Sequence, residues 1–294
     1  MTAIGIIGLG VIGGNLAAWL AANRHDVHGF DIDPAAAERA ASAGVTIASS
    51  RAELIDRATI VATSLPNLGA IEASYFAGDG LIARHRPGLV TLECSTVPTA
   101  LARRITAERK AAGGAAVEAP VIGIGPDARA GRLFLMVAGD DADIEQARPF
   151  LDVAGRGWHR TGPSGTAAIV KGIHNGVGYA TICAIAEAIA LAEQHGVSAE
   201  DLIHIMREGR GAGASVVLDR HGPEMATSAS EARPYNPIPL KDANALGTLL
   251  EGGVGEALPI LATMVETYRR ELADSDIAVP ERLTRRARER LAAT

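Results

Sequence analysis

Six residues near the start of the chain, Gly8-Leu9-Gly10-Val11-Ile12-Gly13, restrict its fold more than any other feature. The apolar run from Ala3 to Gly8 reads as a buried parallel strand, Asn15 to Ala22 as a helix, and Asp26 to Asp31 as a second strand. A lone Gly-x-Gly-x-x-Gly is weak evidence. Strand, glycines, helix, strand and a terminal acid within about 30 residues together form the βαβ unit that holds a dinucleotide. Gly8 permits the tight turn, Gly10 lets the backbone approach a pyrophosphate, and Gly13 lets the helix pack on the strand. Backbone N–H groups at the helix start, around Val11 and Ile12, then meet the phosphates. Asp31 is placed to accept hydrogen bonds from the adenosine ribose hydroxyls. Asp31 and Asp33 would repel a 2′-phosphate and no Arg sits beside Asp31, so NAD is favoured over NADP.

Strand-like runs recur at Thr59 to Leu65, Leu89 to Cys94, Ala116 to Val121 and Leu133 to Ala138, which predicts a doubly wound α/β sheet. Ligands of such sheets bind beyond the strand C-termini, which places Leu65, Pro66, Asn67, Ser95 and Thr96 near the cofactor. Taken singly, each of these also suits a turn or a helix cap. Gly123, Gly125 and Gly131 could bring backbone N–H groups to an anion, or simply belong to a mobile connection between strands.

From Thr166 to about His195 the chain reads as one helix, roughly 45 Å long at the standard rise. Lys171 and Asn175, four residues apart, share a face of it. Lys171 is the only Lys, Arg, Asp or Glu between Thr166 and Cys183. A desolvated lysine can take the proton from an alcohol, so this one is the candidate acid/base, presented to a substrate held between the two halves of the chain. Asn175 can be a structural amide, and His174 a group that titrates near pH 7 or a core or interface histidine. Past His195 strand signals fade. Ala199 to Glu208, Ser215 to Arg220, Lys241 to Leu250, Leu258 to Leu272 and Pro280 to Ala293 read as helices. Ala226 to Pro239 reads as a loop whose Arg233 or Tyr235 could reach a substrate or merely connect. The expected architecture is an N-terminal Rossmann-type domain, residues 1–163, and an all-helical domain, residues 164–294, entered through the long joining helix.

Composition sets limits. Hydrophobic residues are 48% and aromatic ones 3%, so the core must be aliphatic and Ala-rich. A net charge of -6 speaks against a nucleic-acid partner. Cys94 and Cys183 lack metal or CxxC spacing, no metal site is expected, and two thiols in so long a chain suit a reducing compartment. The apolar start lacks a basic n-region, and no run reaches the roughly 18 uninterrupted apolar residues of a membrane span. A cytoplasmic protein is expected, with no membrane partner.

These motifs, in this order and over nearly the whole chain, resemble the β-hydroxyacid dehydrogenases, the group of 3-hydroxyisobutyrate dehydrogenase and tartronate semialdehyde reductase, with 6-phosphogluconate dehydrogenase more distant. Gly8 to Gly13 is similar to their fingerprint, Leu65-Pro66-Asn67 to a cofactor-contacting loop and Ser95-Thr96-Val97-Pro98 to the segment near the nicotinamide ribose. Glu118 to Gly131 is similar to the substrate signature, Gly165 to Asn175 to the lysine motif, and Lys241-Asp242 to a C-terminal pair. The resemblance implies an NAD-dependent oxidoreductase interconverting a small 3-hydroxy acid and its semialdehyde or oxo form. It implies Lys171 as acid/base, Asn175 as orienting amide, Thr96 and Lys241 on the cofactor, and Asp242 holding the Lys241 region. Gly123 would offer its N–H to the substrate carboxylate. Ser95, Ile122 and His174 fall at substrate-contacting positions, and a homodimer or homotetramer is expected. Three residues depart from the pattern: Ile122 stands for a usual Ser, His174 for a second Asn, and Val216 near a frequent Trp. The alternatives are an imine reductase of this fold, which usually carries Asp or Tyr at the lysine position and prefers NADP, and a non-catalytic NAD-binding protein.

Overall fold

Apolar runs become strands wherever helices can cover both of their faces. The computed structural model describes residues 2–211, 213–227, 238–272 and 279–293. Its strands are β1 (Ala3–Ile7), β2 (Asp26–Phe30), β3 (Thr46–Ile47), β4 (Ile60–Thr63) and β5 (Val90–Glu93), then β6 (Ala115–Glu118), β7 (Val121–Ile122), β8 (Phe134–Ala138) and β9 (Gly157–Gly162). They form one sheet in the order β3-β2-β1-β4-β5-β6-β8-β7, with β9 paired to β8. The chain steps from β1 to β2 and β3 on one side and then returns to β4 on the other, so the glycine loop after β1 stands at the switch point, where open α/β sheets bind ligands.

All of β4 and β5 is buried. Side chains alternate between two cores: Ile60 and Ala62 pack with Ile4, Ile6, Val90 and Leu92, while Val61 packs with Ile7, Leu54, Ile71 and Tyr75 on the other face. That alternation is the period of a strand covered on both sides. Pairing is parallel from β3 through β6, and β8 runs antiparallel to β6 and β7. Two strands carried no sequence signal. β3 is only two residues long, and β9, Gly-Trp-His-Arg-Thr-Gly, is half exposed and mostly polar, taking its place by parallel pairing with β8.

The chain divides into two compact units, Met1–Lys171 and Gly172–Thr294. The division falls inside the long helix, Thr166–Gln194, rather than before it at 163/164. The reason is packing: Ala167 sits against Met136 and Ala138, and Ala168 joins the cluster around Val97 and Ala102, so the first turn is committed to unit 1.

In unit 2 the rest of that helix is followed by Ala199–Glu208, Val216–Thr227, Ile238–Gly247, Val254–Ala257, Pro259–Leu272 and Val279–Ala292. Ile182, Ile185 and Ile189 meet Ile203, Leu218, Leu246 and Tyr268 in an aliphatic core. Gly176 is needed there, because a Cβ would stand 2.4 Å from Leu246 Cδ2. By length and composition the 29-residue helix could cross a membrane, an 18-residue window of it having mean hydropathy 1.4, while Ile182, Ile185 and Ile189 lie in the unit 2 core. The helix expected at Ser215 to Arg220 runs on to Thr227 with Pro223 inside it. Ala226, Thr227, Ile238 and Pro239, expected in a loop, are helical at the described edges, and Arg233 and Tyr235 lie outside the described residues.

Candidate active site

At the switch point two of the glycines are sterically required. Gly8 has φ +93, and a Cβ on it would lie 2.3 Å from the Ser64 carbonyl oxygen. On Gly13 it would lie 2.0 Å from the Gly8 oxygen, so the first helix, Gly13–Ala22, starts hard against the turn. A Cβ on Gly10 would meet nothing within 4 Å, leaving that side of the loop open. The helix starts at Ile12 without a side-chain cap, and Val11 beside it is exposed. An open backbone at an uncapped helix start fits a pyrophosphate.

Asp31 braces the loop from within the fold. Its carboxylate accepts the Leu9 N–H at 2.6 Å and the Asp33 N–H at 2.8 Å, tying the end of β2 to the glycine loop. Asp33 caps the next helix through the Ala35 N–H. Arg39 on that helix stands 3.9 Å from Asp33, a neighbour that sequence adjacency does not show.

The loops after β4 and β5 are clamped together. Ser95 Oγ accepts the Leu65 N–H at 2.9 Å, and Ser95 N–H donates to Glu93 at 2.7 Å. Glu93, buried at the end of β5, also accepts from the Thr63 hydroxyl at 2.8 Å. The Ser95 hydroxyl is thus engaged in shaping the loop, and Asn67 caps the following helix through the Ala70 N–H. Pro66 is exposed and Thr96 nearly buried on either side of this clamp.

Glu118, at the end of β6, is the residue whose role the sequence did not reveal. It is 3% exposed and accepts from the Gly165 and Ala168 N–H groups and the Ser164 hydroxyl, so a carboxylate caps the start of the long helix. One turn on, Lys171 Nζ donates to the Val121 carbonyl at 2.8 Å, at the half-buried corner leading to Ile122 and Gly123. Gly123 has φ +135, and a Cβ there would come within 2.7 Å of Leu133 Cδ2. The Ile122 side chain packs with Met136, Ala138 and Ala167, bracing the helix. Glu118→Ala is expected to cost about 3 kcal/mol, since it strands two N–H groups and a hydroxyl. Burial pushes the Glu118 carboxyl above the usual range, against the pull of these hydrogen bonds. Its contribution to stability is therefore greatest when protonated and declines as pH rises from the ordinary glutamate range through the raised value. Thermal melts across that range should show the gap between wild type and variant narrowing with rising pH.

In unit 2, Asn175 Nδ2 donates to Asp242 at 2.7 Å and the Tyr179 hydroxyl to the same oxygen at 3.0 Å. Lys241 Nζ lies 3.3 Å from the other oxygen. Burial, with the charge of Asp242 adding to it, holds the Tyr179 phenol well above its usual range, so it remains a donor. Tyr179 was legible in principle: Lys171, Asn175 and Tyr179 follow at intervals of four on one helix. His174 is exposed on that helix, and Val216, 74% exposed, begins another. Among the described residues no cluster of His, Cys, Asp or Glu could hold a metal.

Known proteins are similar to this chain. Residues 3–167 match the profile of the NAD binding domain of 6-phosphogluconate dehydrogenase. An NAD-dependent L-serine dehydrogenase of Pseudomonas aeruginosa is 33% identical over 236 residues, which is 80% of this chain and 79% of that protein. A 3-hydroxyisobutyrate dehydrogenase of the same organism is 31% identical over 235 residues, again 80% and 79%. The solved structure of Mycobacterium tuberculosis 3-hydroxyisobutyrate dehydrogenase with L-serine matches at a TM-score of 0.83 and 27% identity, over 98% of this chain and 99% of that one. By its nucleotide-binding domain and these relatives, the chain belongs to the β-hydroxyacid dehydrogenase family.

Proposed function

We propose that the chain is an NAD-dependent dehydrogenase that interconverts a small 3-hydroxy acid and its oxo or semialdehyde form, with Lys171 as general acid/base. The observation that carries this is the lysine itself: a half-buried amine, fixed on the Val121 carbonyl at 2.8 Å, on a helix anchored by Glu118. When bound, NAD supplies the hydride acceptor. The glycine loop and the uncapped helix start would hold its pyrophosphate, and Asp31 its ribose. In the oxidative direction Lys171 Nζ takes the proton from the substrate hydroxyl oxygen, and the hydride of the carbon bearing that hydroxyl would go to the nicotinamide; in reduction its ammonium returns the proton to the carbonyl oxygen. Asn175 orients the substrate, and the Gly123 N–H receives its carboxylate. The names of the serine and hydroxyisobutyrate dehydrogenase relatives support this substrate class.

NAD is preferred over NADP in this reading, because the carboxylates of Asp31 and Asp33 at the end of β2 would repel a 2′-phosphate. The test is NADH or NADPH formation with L-serine, 3-hydroxyisobutyrate and glycerate. Turnover with NAD and little with NADP is expected; equal rates with both would sink the preference, and silence with every acid would sink the reaction. The chain is further proposed to self-associate as a homodimer or homotetramer. Val177, Leu191, Ile205, Val216 and Ile260 leave apolar surface exposed on unit 2, which association would cover. Light scattering of the purified protein should give a multiple of the 30.3 kDa chain mass, and a single-chain mass would refute it.

A further inference from the structure

The ends of β4 and β5 meet on one side chain. Thr63 and Glu93 face each other in the parallel register of these strands, and Glu93 is 3% exposed. Its Oε2 accepts the Thr63 hydroxyl at 2.8 Å and its Oε1 the Ser95 N–H at 2.7 Å. Thr63 has one hydrogen to donate, so its oxygen is left as an acceptor for the Tyr75 hydroxyl 3.3 Å away. Burial holds the Tyr75 phenol well above its usual range, so that hydroxyl keeps its proton. Donors therefore run one way, from Tyr75 on the helix Leu68–Phe76 through Thr63 to Glu93. On the far side Ser95 Oγ accepts the Leu65 N–H at 2.9 Å, and Asn67 caps the helix that carries Tyr75. The segment from Leu65 to Asn67 is thus fixed at both ends by one buried frame.

The order of the strands indicates what this frame carries. β2, β1, β4 and β5 lie side by side and parallel, so the loops after them share one edge of the sheet. Asp31 follows β2 and would take the adenosine ribose, and the glycine loop follows β1 and would take the pyrophosphate. A dinucleotide continuing along that edge sets its nicotinamide nucleoside beyond β4 and β5. We propose that Glu93 is a positioning residue for this nicotinamide half, acting through the hydrogen bonds that fix the Leu65 and Ser95 loops. This rests on the NAD reading above.

The experiment titrates NAD and ADP into the full-length wild type, Glu93→Ala and Glu93→Gln, with a melting temperature for each. ADP carries the adenosine and two phosphates without the nicotinamide nucleoside. Glu93→Ala is expected to weaken NAD about tenfold and ADP by less than about twofold. Glutamine can remake the ties. Its carbonyl oxygen takes the Ser95 N–H and its amide donates to Thr63, whose hydroxyl turns to the Leu92 carbonyl 3.3 Å away. Glu93→Gln should therefore bind NAD within about twofold of the wild type. Equal losses of NAD and ADP, or no loss of either, overturn the proposal, as does a glutamine variant as weak as the alanine one. Should Glu93→Ala fail to fold, Thr63→Val decides, since it removes one of the two donors to the same carboxyl. NAD weakened about threefold with ADP unchanged supports the role, and unchanged NAD affinity defeats it. A wild type that binds neither ligand sinks the NAD reading and this role together, whereas equal NAD affinity in wild type and Glu93→Ala sinks the role alone.

Discussion

Lys171→Ala should lower kcat about a thousandfold or more while NAD affinity stays as in the wild type. The amine is held on the Val121 carbonyl, whereas Asp31 is bonded to the Leu9 N–H, so loss of the amine should remove the proton acceptor and leave the nucleotide cradle in place. Truncation at this half-buried position deletes a stem and one hydrogen bond, which leaves the helix anchored through Glu118. Lys171→Arg sharpens the test. A guanidinium keeps the charge and can donate to Val121, but it does not release its proton, so it should be as inactive as the alanine variant. Retained activity in the arginine variant, or loss of NAD binding in either, would remove Lys171 from the acid/base role. Steady-state rates paired with NAD titration read both outcomes.

Gly8→Ala is expected to destabilise unit 1 by about 3 kcal/mol or more, because it meets two penalties at once. The residue has φ +93, which an L side chain rarely adopts, and the added methyl would lie 2.3 Å from the Ser64 carbonyl oxygen. That oxygen is backbone and has no side-chain freedom with which to retreat. At this chain length such a loss should lower the melting temperature by roughly ten degrees. Gly10→Ala provides the contrast. Nothing stands within 4 Å of its added methyl, so the melting temperature should hold while NAD binding weakens, the methyl filling space left for the pyrophosphate. Equal melting temperatures for wild type and the Gly8 variant would show that the turn is not the constraint inferred here. Full NAD affinity in the Gly10 variant would show that the open side of the loop is not the phosphate cradle.

What the sequence determined by itself was everything written in short-range spacing. The glycines at 8, 10 and 13, the apolar strands buried on both faces, and Lys171 and Asn175 one turn apart all follow from local periodicity and backbone sterics. Those features specify the α/β class and locate the candidate lysine. Polar pairing across the fold has no such spacing. Asp242 meets Asn175 across 67 positions, Glu118 reaches the Ala168 N–H across 50, and Ser95 takes the Leu65 N–H across 30. A buried carboxylate must find donors wherever packing brings them, and that packing is complete only when distant segments are side by side. For the same reason the boundary between units falls at Lys171, within an unbroken helix. Periodicity sees one continuous apolar element, whereas Ala167 and Ala168 bury themselves in unit 1 clusters and Ile182 onward in the unit 2 core. β9 belongs with these decisions, since a polar, half-exposed edge segment becomes a strand only when the backbone of β8 is there to pair with it.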